Sequence, residues 1–586
     1  MNKMKKTILA FALLGLSCAF AGEKQYLWKS IETMPDYQPQ QVGALTDEMK
    51  APGYKPDDYR IPYIEWLEKP ANPNGGIVLL ISGGAYWCCC DVGLVRDSWP
   101  KKFTAAGFQC VVLAYRTGRP NGLKIHQSAW EDGQRAVRLV RSEAAKRGFN
   151  PENIGAISMS AGSHLNVLLA TSSLTPAYAK VDELDDIPCH LNWAVTGAIA
   201  YGVTDGYGVP NSRMGSGPGT AVDPAFKFDK KSAPMCMLHG GEDPYSPTAS
   251  TLVYRELRKH GVPAEIHLYG GHGHGGFWSE NWWESVAGFL RQLNLDGKLG
   301  PEVSLDERFK DVKPAVAYSK EDVWPKGGMP DVQTNQCTPY IEWYIPSNLT
   351  TKAIQIIYSG GGYNGNGPHS FEVAPTRKFL NSKGMTVVTM KYRTPRPINL
   401  PKHITAWQDL QRAIRIVRTK APTLGLDPNR IGIMGSSAGG HLTLMGALSS
   451  RQLAYYPTEK TEGVKGPAPK CNVQWAIGIY PAYALTGGEN GYNKHGGNLD
   501  EDMLVPEFNF DLDTPPMCFI HGDADGYSAM GSVKVWEKMR LMGIQSDLHT
   551  LVKRPHCFHR TAAEGTGSYS FLNRIWEFLT KKGFNK

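Results

Sequence analysis

Along the chain, short runs of β-branched and apolar residues alternate with longer stretches whose apolar positions recur at helical spacing. Residues 76–81, 109–114 and 154–157 read as buried strands, and 354–358, 386–390 and 431–434 read the same way further on. Between them, residues 130–141 and 407–418 carry one apolar helical face and end in basic residues, as helix C-termini do. This alternation predicts an α/β fold, a mostly parallel twisted sheet flanked by helices.

The two sets of elements are one pattern written twice. Tyr63-Ile64-Glu65-Trp66 returns as Tyr340-Ile341-Glu342-Trp343, an offset of 277 residues. Ala129-Trp130-x-Asp132-x-Gln134-Arg135 returns at the same offset as Ala406-Trp407-x-Asp409-x-Gln411-Arg412. Trp193, Asp243 and His274 match Trp475, Asp525 and His556 at 282, so five extra residues enter the second copy in between. A surface loop tolerates such an insertion. The period is too long for a solenoid repeat, and 586 residues are too many for one core. The expected organisation is one α/β domain over residues 22–300 and its copy over 301–586, joined through the polar Gly/Pro stretch 294–301.

Composition changes this picture little. Hydrophobic content of 41% and charged content of 20% describe an ordinary soluble protein. The net charge is +8, and with Lys3, Lys5 and Lys6 set aside it is about +5. No basic run stands out after them, which argues against nucleic acid as a partner.

The N-terminus does change the picture. Three lysines precede an apolar run over residues 7–16, and Ala19-Phe20-Ala21 fits the small-x-small cleavage rule before Gly22. The run is too short to span a bilayer. Residues 1–21 read as a signal peptide, and the mature chain as periplasmic or secreted with no transmembrane segment. A lipoprotein reading through Cys18 ranks second, because Gly15 stands where a lipobox wants Leu. Export leaves ten cysteines in an oxidising setting. Cys236 and Cys518 lie in apolar strand patterns and read as buried thiols; pairing of Cys189 with Cys236, and of Cys471 with Cys518, is the alternative. Cys88-Cys89-Cys90 lacks metal-site spacing.

The chemistry is carried by repeated residues. Residues 431–441 run from an apolar strand into Gly435-Ser436-Ser437-Ala438-Gly439 and on into a helix. This is a nucleophile elbow, a strained turn that lifts the central serine clear of the sheet. The first copy reads Ser158-Met159-Ser160-Ala161-Gly162, with Ser for the first Gly, and departs further from the pattern than the second. An acyl-transfer serine needs a base and an acid that orients it. Asp243 and Asp525 end His-Gly-x-x-Asp segments after apolar strands. His274 and His556 each lie 31 residues beyond the acid; His272 fails that spacing and stands in reserve. His164, His441, His239 and His521 read as packing or hydrogen-bonding residues. A developing oxyanion needs backbone donors already in place. Gly83 and Gly84, with Gly360 and Gly361, follow the first sheet strands, and Ala161 and Ala438 follow the serines.

Together these residues resemble the α/β-hydrolase superfamily, and within it small acetylxylan/feruloyl esterase-type and esterase/lipase proteins. The likeness rests on the Gly-Gly loop, Tyr115-Arg116 and Tyr392-Arg393, Ser-Ala-Gly-Gly-His in the second copy, and the acid loops. Trp324-Pro325-x-Gly327-x-x-Pro330 resembles the leading segment of this family, and the first copy lacks it. The resemblance implies two tandem α/β-hydrolase domains, each with a Ser-His-Asp site, and no metal or organic cofactor. It implies a serine carboxylesterase acting on esterified polysaccharide or oligosaccharide, with acetyl or feruloyl groups as leading candidates. Loops 200–219 and 480–498, rich in Tyr, Gly and Asn, are expected to border the sites. Two other readings compete: a serine peptidase of the prolyl-oligopeptidase kind, for whose propeller the chain has no room, and a non-catalytic binding half, for which the first copy is the better candidate.

Overall fold

The structure is a computed structural model that describes residues 22–41, 61–89, 93–204, 220–295, 317–365, 367–486, 503–563 and 570–586. The leader, residues 296–301 of the join, Cys18 and Cys90 lie outside them. So does most of the two Tyr/Gly/Asn-rich loops.

The first half supplies β1 (Glu23–Tyr26), β2 (Tyr63–Trp66), β3 (Ile77–Ile81), β4 (Gln109–Ala114), β5 (Ile154–Met159), β6 (Trp193–Gly197), β7 (Met235–Gly240) and β8 (Ala264–Tyr269). The second supplies β9 (Ala317–Asp322), β10 (Tyr340–Tyr344), β11 (Ile354–Tyr358), β12 (Thr386–Lys391), β13 (Ile431–Ser436), β14 (Trp475–Ile479), β15 (Met517–Gly522) and β16 (Asp547–Leu551). Each half orders its strands alike, β1-β2-β4-β3-β5-β6-β7-β8 and β9-β10-β12-β11-β13-β14-β15-β16. Within each half only the second strand runs against the others, so β1–β2–β4 and β9–β10–β12 pair antiparallel and the rest pair in parallel. Parallel strands covered on both faces must be apolar throughout, which is why β3 reads Ile-Val-Leu-Leu-Ile and is buried at every position. The pattern ended the fifth strand of the second copy at Met434, but β13 runs on to Ser436. Gly435 and Ser436 look like loop in sequence, yet both stay in the ladder, opposite Tyr358 and Ile479.

The helices that position the sites are α1 (Gln127–Ala144), α2 (Ala161–Thr171), α3 (Thr248–Lys259) and α4 (Trp282–Gln292). Their counterparts are α5 (Ile404–Lys420), α6 (Ala438–Leu448), α7 (Met530–Leu541) and α8 (Ser570–Lys581).

Periodicity gives no hint that the two sheets are one. β8 and β16 pair antiparallel, Leu268 with Leu548 and His267 with His549, making a continuous sixteen-stranded sheet. His267 and His549 are the same position in the two copies, so a pseudo-twofold axis passes between them, their Nδ1 atoms 3.0 Å apart. The arrangement is that of an isologous dimer held within one chain. Glu265 accepts from the Val552 amide at 3.1 Å, and Asp547, its counterpart, accepts from Gly270 at 2.8 Å. On the face carrying α1–α3 and α5–α7, one apolar core runs across both halves; on the other face there are two cores, one for each half, with Val552 of the second half joining that of the first. Arg574 of α8 reaches Asn281 and Glu284 at the start of α4.

All nine cysteines of the described residues are free thiols. The alternative pairing fails because its members face opposite sides of the sheet. Cys189 packs in the shared core, its Sγ against Ser173 O, whereas Cys236 lies in β7 facing the other side. Burial pushes the thiol of Cys236 up.

The leading segment occurs in both halves, not in the second alone. Trp324 donates its indole N–H to Asp409 at 2.6 Å, and Arg393 donates to Pro330 O. The first half does the same with Trp28 to Asp132 at 2.8 Å and Arg116 to Pro35 O at 2.6 Å. The segment is present there with one more residue between Trp and Pro, which hid it from a motif reading. It also explains the repeated Ala-Trp-x-Asp. Asp132 and Asp409 anchor that tryptophan and the buried arginines Arg116 and Arg393.

Candidate active site

Each elbow is built by the strand before it, the helix after it and the neighbouring strand. Ser160 has φ 58° and ψ −124°, and Ser437 φ 56° and ψ −121°, a region that costs a non-glycine residue of order 1–3 kcal/mol. The surroundings hold it there. The Ser160 amide donates to Gly197 O at 2.8 Å and its carbonyl accepts from Ala200 N at 3.3 Å. Ser437 is held by Ile479 O at 3.0 Å and Ala482 N at 3.1 Å.

Why Ser158 can replace Gly435 is now visible. A Cβ at Gly435 would sit 2.5 Å from the ring of Tyr358 and 2.4 Å from Gly439 O. The first half has Ile81 in place of Tyr358, and Ser158 Oγ fills the space with bonds to Ser163 Oγ at 3.1 Å and from Asn166 at 2.9 Å. The exchange is compensated locally, and the two serines keep the same backbone conformation.

The triad side chains meet in both halves. His274 Nε2 lies 3.0 Å from Ser160 Oγ, and its Nδ1 lies 2.8 Å from Asp243 Oδ2. His556 Nε2 lies 2.8 Å from Ser437 Oγ, and its Nδ1 lies 2.7 Å from Asp525 Oδ2. A carboxylate facing Nδ1 fixes the N–H there and leaves Nε2 as the acceptor for the serine proton. Each acid also accepts from the amide two residues on, Tyr245 or Tyr527, at 2.8 and 2.7 Å. Burial alone would raise both acids. The bonds from His239 and His274, and from His521 and His556, outweigh it and hold both below the ordinary aspartate value. Burial would lower His556, but its bond to Asp525 and the adjacent Cys557 push it up to about 10.

His272 is turned away, its Nε2 2.5 Å from Glu280. His239 and His521 support the acid loops. Their Nε2–H groups donate to Tyr245 O and Tyr527 O at 2.9 and 2.8 Å, and their Nδ1 atoms accept from Ser250 and Ser532. His164 and His441 sit beneath the elbows, each bonded through Nδ1 to a tyrosine hydroxyl, Tyr86 or Tyr363, at 2.8 Å. With His126 and Asp223, and with His403 and the half-buried Glu507, they form two groups whose ligand atoms lie within 4.8 Å of one another. His164 already bonds Asp223 at 2.8 Å, so the first group is closed by its own hydrogen bonds. Burial lowers His126 to about 3 and His403 to about 4, keeping both neutral.

Of the six oxyanion candidates, Ala161 and Ala438 are the first residues of α2 and α6, where an amide has no acceptor within its own helix. The glycine loops are pinned from below by Tyr115, which donates to Ser82 O at 2.9 Å, and Tyr392, which donates to Gly360 O at 2.8 Å. Gly360 must be glycine, since a Cβ there would come within 2.6 Å of Ser437 Cβ. Its amide differs from the expectation: it donates to Glu372 Oε2 at 2.8 Å. Glu372 also accepts from Tyr480 at 3.0 Å, and Tyr480 in turn meets His559 Nδ1 at 2.7 Å.

Sequence reasoning passed over that network and Tyr245 and Tyr527, whereas Tyr201 and Tyr483 belong to the loops it set beside the sites. Tyr245 and Tyr527 lie 4.9 and 5.0 Å, ring to ring, from the triad histidines. Tyr201 and Tyr483 lie beyond them, held by Arg119 and Arg396 at 2.7 and 2.8 Å. These pairs recur at the same 277 and 282 offsets as the triad, and that recurrence was the available signal.

With this geometry in hand, comparison with known proteins places the chain. The BD-FAE family profile matches residues 66–213 and 341–534, more than half of the chain and once in each half. Esterase LipQ of Mycobacterium tuberculosis is 25% identical over 251 residues, 41% of this chain and 52% of that protein. An acetylxylan esterase of Xylanibacter ruminicola is 32% identical over 107 residues, 17% of this chain and 20% of that protein. The chain thus spans about half or less of the length of these curated relatives. Among solved structures, Thermogutta terrifontis esterase 2 aligns at 23% identity and TM-score 0.37, covering 47% of this chain and 96% of that one. The double match, on a sheet and helices of the expected order, means that this chain belongs to the BD-FAE family of α/β-hydrolase esterases.

Proposed function

We propose that this protein is an exported serine carboxylesterase with two working sites, Ser160-His274-Asp243 and Ser437-His556-Asp525, that removes acetyl or feruloyl esters from plant polysaccharide. The observation that carries the reading is the unbroken Ser Oγ–His Nε2, His Nδ1–Asp chain in both halves. In each site the serine Oγ attacks the ester carbonyl while His Nε2 takes its proton. The aspartate holds the imidazole in the right tautomer and stabilises the imidazolium. The amides of Ala161 and Ala438, with those of Gly83 and Gly84 or Gly361, receive the developing oxyanion, each such donor contributing about 10²–10³ in kcat. The imidazolium then protonates the departing alcohol, and a water activated by the same histidine frees the acyl group.

The polysaccharide assignment is supported by the acetylxylan esterase relative and by the Tyr/Arg rim, since aromatic faces suit sugar rings. Export is supported by the leader sequence. No helix among the described residues is long and apolar enough to cross a membrane.

The test is p-nitrophenyl acetate hydrolysis by the unmutated chain, Ser160→Ala, Ser437→Ala and the double variant. Two working sites predict that each single variant loses part of the rate and the double loses nearly all of it. A double variant as active as the parent would sink the nucleophile assignment. Acetylated and feruloylated xylan then separate the two acyl groups, and N-terminal sequencing of the exported chain checks for a start at Gly22.

A further inference from the structure

The triad acid of each half sits on a loop that the other half touches. In the first half the loop is His239–Asp243, and the carbonyl of Gly241, two residues before Asp243, accepts from Arg540 Nε at 2.9 Å. Arg540 belongs to α7, in the second half. In the second half the loop is His521–Asp525, and Asp523 stands in Gly241's place. Arg258 of α3, in the first half, donates to the Asp523 carbonyl at 3.2 Å and pairs with its carboxylate at 2.6 Å. Arg258 and Arg540 are separated by 282 residues, as are Gly241 and Asp523. The contact is therefore one interaction made twice across the pseudo-twofold axis.

The two versions differ in strength. Asp523 is buried, and besides Arg258 it accepts from Tyr254 at 3.3 Å and Ala264 N at 3.4 Å, both also in the first half. The arginine makes a charge-assisted bond to the loop carbonyl in both versions, and only the second adds contacts to a carboxylate. The first loop is held by the arginine–carbonyl bond, and Asp243 itself lies within electrostatic range of Arg540.

We propose that Arg258 and Arg540 are positioning residues acting in trans: each holds the acid loop of the opposite half, so that neither Ser-His-Asp site is complete without the other copy. This rests on the reading that both serines are nucleophiles. The carboxylate sets the direction of the imidazole, and a misplacement of about 1 Å in such a chain costs about 10²-fold in rate. The proposal supplies a physical reason for the tandem. The halves are one assembly in which each copy is part of the other's scaffold.

The experiment follows both serines in one molecule. The full chain and its Arg258→Met, Arg258→Lys and Arg540→Met variants are treated with a fluorophosphonate, and labelling rates of the Ser160 and Ser437 peptides are read separately by mass spectrometry. Arg258→Met is expected to slow Ser437 tenfold or more while Ser160 stays within twofold. Arg540→Met is expected to slow Ser160, by less, and leave Ser437 within twofold. Arg258→Lys, which keeps the charge, recovers part of the Ser437 rate. Equal slowing of both serines, slowing of the serine in the arginine's own half, or no change in either overturns the proposal. Absence of labelling at either serine in the unmutated chain is a different result: it removes the nucleophile reading, and the proposal with it, before any arginine variant is read.

Discussion

Behind Ser160, positions 95, 159, 198, 277 and 278 hold Val95, Met159, Ala198, Phe277 and Trp278, an apolar wall in which Trp278 donates to Met159 Sδ at 3.4 Å. Behind Ser437 the same positions hold Glu372, Ser436, Tyr480, His559 and Arg560, and a hydrogen-bonded chain runs from the Gly360 amide through Glu372 and Tyr480 to His559. Yet the reacting atoms hardly move: Ser Oγ to His Nε2 is 3.0 Å in one site and 2.8 Å in the other. The strand ladder and elbow set the triad, and the wall varies independently of it. It varies as a set, because a buried polar group without partners costs more than its bond contributes.

Exchanging single members of the two walls breaks this comparison most severely. Val95→Glu would bury a carboxylate beside Ala198, with no hydroxyl in the place of Tyr480 to donate to it. An uncompensated buried charge costs roughly 3–5 kcal/mol, which a lowered urea midpoint would report. The reverse change, Glu372→Val, orphans the Gly360 amide and one Tyr480 bond and is expected to cost about 1–3 kcal/mol. If Val95→Glu proved neutral, the two walls would be interchangeable piecemeal and the comparison would lose its meaning.

The next effect is on pH. His556 serves as a base only when neutral, and its pKa is pushed up to about 10. Measured in Ser160→Ala, the Ser437-dependent rate should therefore climb through the alkaline range rather than level off near the ordinary histidine value. Cys557→Ser should move the inflection down, since the thiol helps raise it; the first half has Gly275 there. The same shift stabilises the fold. Its contribution is complete below the unfolded histidine value of about 6.5 and is lost as the pH rises through about 10. An inflection near neutrality in both Ser160→Ala and Cys557→Ser would refute this.

The smallest effect sharpens the elbow. Ser158→Gly restores the Gly-x-Ser-x-Gly pattern but removes the bonds to Ser163 and from Asn166. It should cost about 0.5–1.5 kcal/mol and leave Ser160 labelling unchanged; a stabilised variant would mean that the local compensation has been misread.

Much of this was legible in the chain. Continuous apolar runs identified β3, β4 and their copies, and the shared 31-residue spacing singled out His274 over His272. Other features escaped for identifiable reasons. Trp28 and Pro35 were missed because one extra residue separates them. Glu372, Tyr480 and His559 were missed because only contact in space makes them a network.

The sequence by itself determined the elements, the duplication and the residues that make up each site, because hydrophobic period, turn chemistry and repeated spacing are local properties. Tertiary structure alone decided that two eight-stranded sheets become one, that Cys189 and Cys236 face opposite cores, and that Arg258 and Arg540 reach across to the other half's acid loop. Each of these depends on which edges and faces meet. An edge strand such as β8 carries the same letters whether its open amides find water, another chain or a second copy of itself.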